Sequence, residues 1–430
     1  MQSRRIEINA TYGAAHYGKS LFWYSTEFLF GFYLGEVYGL PAQTIGSLLA
    51  IFLLWDALTD PIVGLLVFRG RIRTRNLTRL QLVGALLSAV TFIAIFYQPP
   101  LGSTDLFYYA LACGLLFRTS YTLYDVPQNA LLGRLAQDGK HRLSLAAIRG
   151  ALSAVATLTI SLSSAIILSQ AHTTGIAGGF TLAAAAFSSI AITSALVLHW
   201  RSDRLSDAPD PVNRPTVSLR MLTLTDRNLL QVTGAGFLLA IGWPLFGKII
   251  PFYASLVMGT PAHAGTMILV IGLAALISQP VWTVIGHRTH RSTLLAYQLA
   301  TTILGALMFG LAAATQIIAF PAIFLLSSGC NGLGMLCWTR LADVLYARAL
   351  NDVLAFGLLT FASKIGLSLS GLLLGGALSL AGYRPGDTLT GDGQSVLVLA
   401  MVAAPILSSV GASALLIRRR SDLPRSCDEQ

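Results

Sequence analysis

Apolar residues run through this chain in long blocks, without the period-2 alternation or narrow helical stripes of a fold surrounded by water. About twelve such blocks are separated by short polar breaks, at roughly 17–38, 42–68, 77–98, 105–134, 143–169, 176–199, 228–257, 262–286, 293–315, 318–349, 354–382 and 393–418. A helix needs roughly 20 apolar residues to cross a bilayer, and each block supplies them. The longer blocks imply tilt or extension past the membrane. One break is long: Arg201 to Asn228 mixes charges with Pro209, Pro211 and Pro215 and divides six blocks from six. Connections of that length are usually linkers. The expected organisation is an N-terminal six-helix bundle over 1–199, a central loop over 200–227, a C-terminal six-helix bundle over 228–418 and a tail over 419–430.

Composition supports a membrane setting. Only 11% of the 430 residues are charged, 54% are hydrophobic, and the mean hydropathy is +0.67, whereas a soluble domain carries about 25% charged residues. Placement says more. Of 29 Lys and Arg, 23 lie in the N-terminus, the tail and alternate breaks, while the intervening breaks hold Arg384 alone. Such alternation is the positive-inside pattern of an even number of spans with both termini cytoplasmic. The net charge of +10 is thereby a topology signal and requires no nucleic-acid partner. The first block lacks a signal-cleavage pattern, so it is expected to remain as the first helix. Four cysteines without a CxxC pair argue against a disulfide framework. The two halves echo each other. Pro61 precedes Arg69 by eight residues as Pro280 precedes Arg288, and Arg134/Asp138 is matched by Arg348/Asp352. These offsets indicate a duplicated six-helix unit, the build of the major facilitator superfamily.

Charged residues inside the blocks carry the chemistry. A charge at the bilayer centre costs at least ~2.5–3.5 kcal/mol, yet Lys19, Glu27, Asp56, Asp60, Arg118, Asp125, Arg149, Lys248 and Lys364 all fall in or near spans. Asp56 and Asp60 are four apart, so both carboxylates leave one helix face, where they repel each other. A cation between them removes the conflict, and oxygen ligands suit hard cations. Thr59 and Thr122 can add hydroxyl oxygens. A structural ion pair with Arg149 or Lys364 is the alternative. Asp125 and Asn129 share a face beside Pro127, which lacks a backbone donor, and this face suits a solute pocket. Arg118, seven before Asp125, stands either in that pocket or in an intrahelical arrangement with it. Lys364 is a natural counter-ion for the first-half acids. Gly371 and Gly375 form a GxxxG helix-packing face. On the first helix Ser20 and Glu27 suit a solute, Trp23 and Tyr24 beside them suit either a solute or an interfacial belt, and Tyr33 suits the belt. His287 and His290 have no metal-ligating companions. GxxGxG at Gly329 to Gly334 lies in a span and lacks the strand a dinucleotide site requires. No activated nucleophile or metal site appears in the spans, so an enzyme is not expected.

YGAAHYGKS, FYLGEVYGL, LLWDALTDPIVGLLV and YTLYDVPQNALL with Arg149 beyond, then RLADV and FASKIGLSLSG, resemble the glycoside–pentoside–hexuronide cation symporters, among which the melibiose permease is best known. The match runs from about residue 11 to 382. The resemblance implies a major facilitator fold with a midplane pocket and alternating access. It places Asp56, Asp60 and Thr122 at the cation site, Asp125 and Arg149 at the solute, and Lys364 with Asp125 in coupling. Departures are Ser20 and Asn129, where sugar-carrying members have an Asp and the melibiose permease a Trp, and Thr59, where sodium-using members have an Asn. Arg118 lies outside the family pattern.

The expected protein is an all-α secondary transporter of the cytoplasmic (inner) membrane, monomeric and without a cofactor. Its coupling ion is Na+ or H+, bound at Asp56, Asp60, Thr122 and Thr59. Its solute is a sugar, glycoside or uronate held by Asp125, Arg149, Asn129, Ser20, Trp23, Glu27 and Arg118. A lysolipid carrier of the same family and a non-transporting solute sensor are the alternatives.

Overall fold

The computed structural model describes residues 2–69, 74–135, 139–169, 175–205, 226–311, 316–348 and 352–417. Within them are twelve long helices and no strand. The first, α1, runs Gln2–Ser25, passes through a π-helical turn at Thr26–Phe30 and finishes as Gly31–Glu36. It is followed by α2 (Ala42–Arg69), α3 (Thr74–Ile95), α4 (Ser103–Leu135), α5 (Gly139–Ser169), α6 (Ile176–Leu205), α7 (Arg227–Leu256), α8 (His263–Arg288), α9 (Arg291–Leu311), α10 (Gln316–Arg348), α11 (Asp352–Leu380) and α12 (Gly391–Leu416). Most of the predicted central loop, 206–225, and the tail from 418 lie outside the described residues.

Helix ends follow the expected blocks within four residues, apart from the end of α6, six residues on at Leu205, and the start of α1. That helix begins well before residue 17, because its first turns carry Arg4, Arg5 and Glu7 and so escape an apolar criterion. Ten helices are long and apolar enough to span a bilayer. The two that fall short, α1 and α4, hold Lys19, Glu27, Arg118 and Asp125, so the same side chains that make a site lower the hydropathy. Apolar side chains face outward where a soluble protein would be polar: Val90, Leu182 and Leu407 are each at least 70% exposed. Tyr33 differs from the belt expectation. It is fully buried, edge-on to Phe96 and Phe180, because α1 runs inside the bundle.

The first six helices meet the last six chiefly through α2 against α11 and α5 against α8. At the end carrying the 37–41 and 381–390 connections this seam is closed. Phe32 meets Phe252 at 5.4 Å between ring centroids, and Tyr383 donates to Glu36 Oε1 at 2.8 Å. Gln43 donates to Ser379 Oγ at 2.8 Å, and Ser161 donates to the Gly265 carbonyl at 2.7 Å. The GxxxG of α11 packs as expected. A methyl at Gly46 would lie 2.8 Å from Gly375 Cα and 3.0 Å from the Gly371 carbonyl oxygen, so all three must be glycine for α2 and α11 to touch through backbone. Overpacking of that kind costs about 1–3 kcal/mol. Gly375→Val is therefore expected to hold the seam apart and lower uptake roughly tenfold, with membrane expression unchanged; uptake in whole cells normalised to protein level checks this.

Candidate functional site

The two acids of α2 converge as their spacing predicts. Asp56 is fully buried and Asp60 one turn on is partly open. Thr122 of α4 bridges them. Its hydroxyl lies 3.2 Å from Asp56 Oδ1 and 3.0 Å from Asp60 Oδ1, and Thr59 Oγ1 is 3.2 Å from Thr122 Oγ1. Two carboxylates and two hydroxyls thus form an oxygen cage at the α2–α4 contact. The other carboxylate oxygens face Lys364 of α11, which donates to Asp56 Oδ2 at 3.0 Å and also to Asp60 Oδ2. Of the two counter-ions considered for the acids, Lys364 takes the position and Arg149 stands apart. Arg118 Nη1 is 3.6 Å from Asp56 Oδ2. Two negative charges are therefore matched by one ammonium and a more distant guanidinium.

One turn further along α4, Asp125 faces α1. It accepts from Lys19 through Oδ1 and from Asn129 Nδ2 through Oδ2, the latter at 3.0 Å. The i,i+4 relation of Asp125 and Asn129 is realised because α4 continues through Pro127. Arg118 is not engaged with Asp125. It points to Glu27 Oε1 at 3.7 Å and lies over Trp23 at 5.5 Å from the ring centroid, within cation–π reach. Trp23 stacks on Tyr121 at 6.0 Å. Glu27, in the π turn, accepts from Lys248 Nζ at 2.6 Å, and Lys248 also donates to Ser370 at 3.2 Å. Ser20 is buried and spends its hydroxyl on the His16 carbonyl at 2.8 Å.

Arg149 of α5 is half-buried and within electrostatic reach of Lys19, Asp125 and Tyr12. Among the described residues it forms no ion pair, whereas Lys19, Arg118, Lys248 and Lys364 each have a carboxylate. The midplane thus sets five bases against four acids, with Arg149 as the surplus. Tyr12 and His16, both within its electrostatic reach, have buried atoms without a hydrogen-bond partner among the described residues, Oη and Nδ1, as does Asn129 beside Asp125, at Oδ1. A buried polar group left unsatisfied costs about 1–3 kcal/mol, so this corner holds hydrogen-bonding capacity that the described residues do not use.

Spacing could not pair Lys19 with Asp125 or Lys248 with Glu27, since 106 and 221 residues separate them. Their signal in the sequence is only that a base inside a span requires an acid somewhere. His16, with Nε2 3.0 Å from Ser153 Oγ, gave no signal at all.

A family model described as MFS/sugar transport protein matches residues 11–422. The protein named "Putative glycoside/cation symporter YagG" of Escherichia coli K12 is 33% identical over 150 residues, 35% of this chain and 33% of that one, so the match spans a third of its length. "Inner membrane symporter YicJ" of the same organism is 22% identical over 86% of this chain and 82% of its own. "Uncharacterized symporter YjmB" of Bacillus subtilis 168 is 21% identical over 90% and 85%. Among solved structures, a bacterial homologue of the human peptide transporters PepT1 and PepT2 superposes with a TM-score of 0.70 at 13% identity, covering 96% of both chains. A bacterial homologue of the iron transporter ferroportin in an inward-facing state does so at 0.66 and 15%, covering 97% and 100%. At these identities the structures share the fold alone.

Proposed function

Because the chain belongs to the MFS/sugar transport family, and is a multi-pass membrane transporter rather than an enzyme, we propose that it is a cation-coupled symporter of the inner membrane whose solute is a sugar-sized acid, a uronate or acidic glycoside. The observation that carries this reading is the paired arrangement at the midplane: an oxygen cage whose second negative charge is met only by the distant guanidinium of Arg118, beside a pocket that holds the surplus base.

Asp56, Asp60, Thr122 and Thr59 are the cation ligands, with Na+ or H+ as the coupling ion. Hard cations take oxygen donors, and a proton would serve equally by neutralising one carboxylate. Lys364 holds the same carboxylates from the opposite half, so an incoming cation competes with an ammonium that belongs to α11. This is a direct way for ion binding to change how the halves grip each other. The solute sits between Asp125, Asn129, Lys19 and Arg149, with Trp23 as an aromatic wall. An anionic solute gives Arg149 its missing partner, and the surplus base is the observation that favours an acid over a neutral glycoside. Coupling between the two sites is reciprocal: whatever the ion adds to solute affinity, the solute adds to ion affinity. By the charge rule the closed end of the seam is external, so this conformation faces the cytoplasm.

Thermal unfolding of the purified protein in detergent against uronates, neutral glycosides and lysolipids, with and without Na+ and across pH, tests the reading. A ligand at 100 times its Kd adds about 2.7 kcal/mol to native stability. The expected result is a uronate shift that grows with Na+ or with acid and disappears in Arg149→Gln. A shift from lysolipid alone assigns an amphiphile carrier, and a solute shift indifferent to every cation removes the symport mechanism. Cation-driven flux in proteoliposomes separates a carrier from a sensor.

A further inference from the structure

Glu27 belongs neither to the oxygen cage nor to the Lys19–Asp125 pair, yet it is an acid in the middle of a bilayer. It lies between two bases. Lys248, from α7 in the second half, donates to it at 2.6 Å and is steadied by Ser370 of α11. Arg118, from α4 in its own half, is at 3.7 Å. Arg118 in turn lies between two acids, Glu27 and Asp56, the latter at 3.6 Å. Both separations exceed the ~2.7–2.9 Å of a charge-assisted hydrogen bond, and Nη1 of Arg118 is buried without a hydrogen-bond partner. The guanidinium is therefore shared between two carboxylates and committed to neither.

The electrostatics decide what commits it. Asp56 and Asp60 carry two negative charges against the single ammonium of Lys364, and Arg118 makes up the deficit. A cation in the cage removes the deficit and with it the pull of Asp56 on Arg118.

We propose that Glu27 is a switched carboxylate that reports the state of the cage to the seam between the halves. While the cage lacks its cation, Arg118 is held toward Asp56, and Glu27 binds Lys248 across the seam. When the cage is filled, Arg118 closes onto Glu27, Lys248 is released, and the end of the seam carrying the 37–41 and 381–390 connections opens. Glu27 keeps a basic partner in both states, and Lys248, which loses its carboxylate, meets water where the seam opens; left buried and stripped of its partner a charge would cost about 3–5 kcal/mol. Its place in the π turn is consistent with movement, since such turns interrupt the regular hydrogen-bond ladder and recur at functional sites. Filling the cage alone thus favours the open outer end. The inference rests on the reading of the cage as the cation site.

Its test needs neither ion nor solute. Spin labels at Gln98→Cys and Asp387→Cys, exposed at the outer ends of the two halves, report the width of the seam by pulsed electron-electron resonance in nanodiscs, with the native cysteines replaced. Asp56→Asn puts a permanently neutral amide in place of the carboxylate and is expected to raise the long-distance population at least fivefold. Asp56→Asn with Arg118→Gln is expected to return it to the starting value. Lys248→Gln is expected to open the seam whatever stands at 56 and 118, and Glu27→Gln, which removes the same pair from the other side, reads the same quantity should Lys248→Gln elute as aggregate. Opening by Asp56→Asn that is equal with and without Arg118, no opening by Asp56→Asn, or an unchanged distance in Lys248→Gln or Glu27→Gln overturns the switch. Failure of cation-driven flux would instead strike the symport reading and leave these distances as they are.

Discussion

Asp60→Asn is expected to abolish cation stimulation of uptake and leave cation-independent solute binding within a few-fold of the parent. The reason lies in charge count. With Asp60 neutral, Asp56 is the only carboxylate left in the cage, and Lys364 and Arg118 already satisfy it. Nothing remains to attract a further cation. Coupling free energies between sites run about 1–3 kcal/mol, or roughly 5–150-fold in affinity, and that factor is what the variant loses. Solute affinity measured by melting shift with and without Na+ and across pH checks it: the two curves should coincide in Asp60→Asn. If they stay apart as in the parent, the cage is not the coupling site.

The second large effect is expected at Asp125. Asp125→Asn removes the partner of Lys19, whose side chain is only 6% exposed. Truncating one member of a buried charge pair costs about 2–5 kcal/mol in binding, so solute affinity should fall by roughly thirtyfold or more. The stranded ammonium also destabilises the fold by about 3–5 kcal/mol, and the melting temperature should drop. Lys19→Met with Asp125→Leu separates the two consequences. An apolar pair of similar volume is often as stable as the ion pair it replaces, so melting should recover while solute binding stays lost. Recovery of both would mean that the pair is structural and the solute lies elsewhere.

Much of this architecture is legible before any coordinates. Length of apolar run gives the helices, and Arg placement gives an expected orientation. The four-residue spacing of Asp56 and Asp60 gives a common face, and the structure places the two threonines named with them within hydrogen-bond reach, at 3.0–3.2 Å. Lys364 could be named as counter-ion since a base in the eleventh block has few acids to meet. The limit is reached at Glu27, Arg118 and Lys248. Periodicity says which residues share a helix face, but it does not say which helix that face will meet. Arg118 and Asp125 illustrate this. Seven residues apart on one helix, they look like partners, yet the structure turns Arg118 toward Glu27 and Asp56 and gives Asp125 to Lys19. The π turn was likewise hidden, because TEFLF is as apolar as its surroundings and an extra backbone residue leaves no mark on hydropathy.

That surplus residue in α1 has a further consequence. An ordinary helix advances ~100° per residue, so one added residue resets the phase of everything before it relative to everything after. In α1 the part before the turn presents Lys19 to Asp125 and Trp23 to Arg118, while the part after it presents Gly31 and Gly35 to α2, Leu374, Phe252 and Tyr383. Deleting a single residue from Thr26–Phe30 would restore a regular helix and swing one of these faces away by about a quarter turn. The insertion lets one helix serve two unrelated geometries, so residues on one side of it are free to vary without disturbing closure on the other.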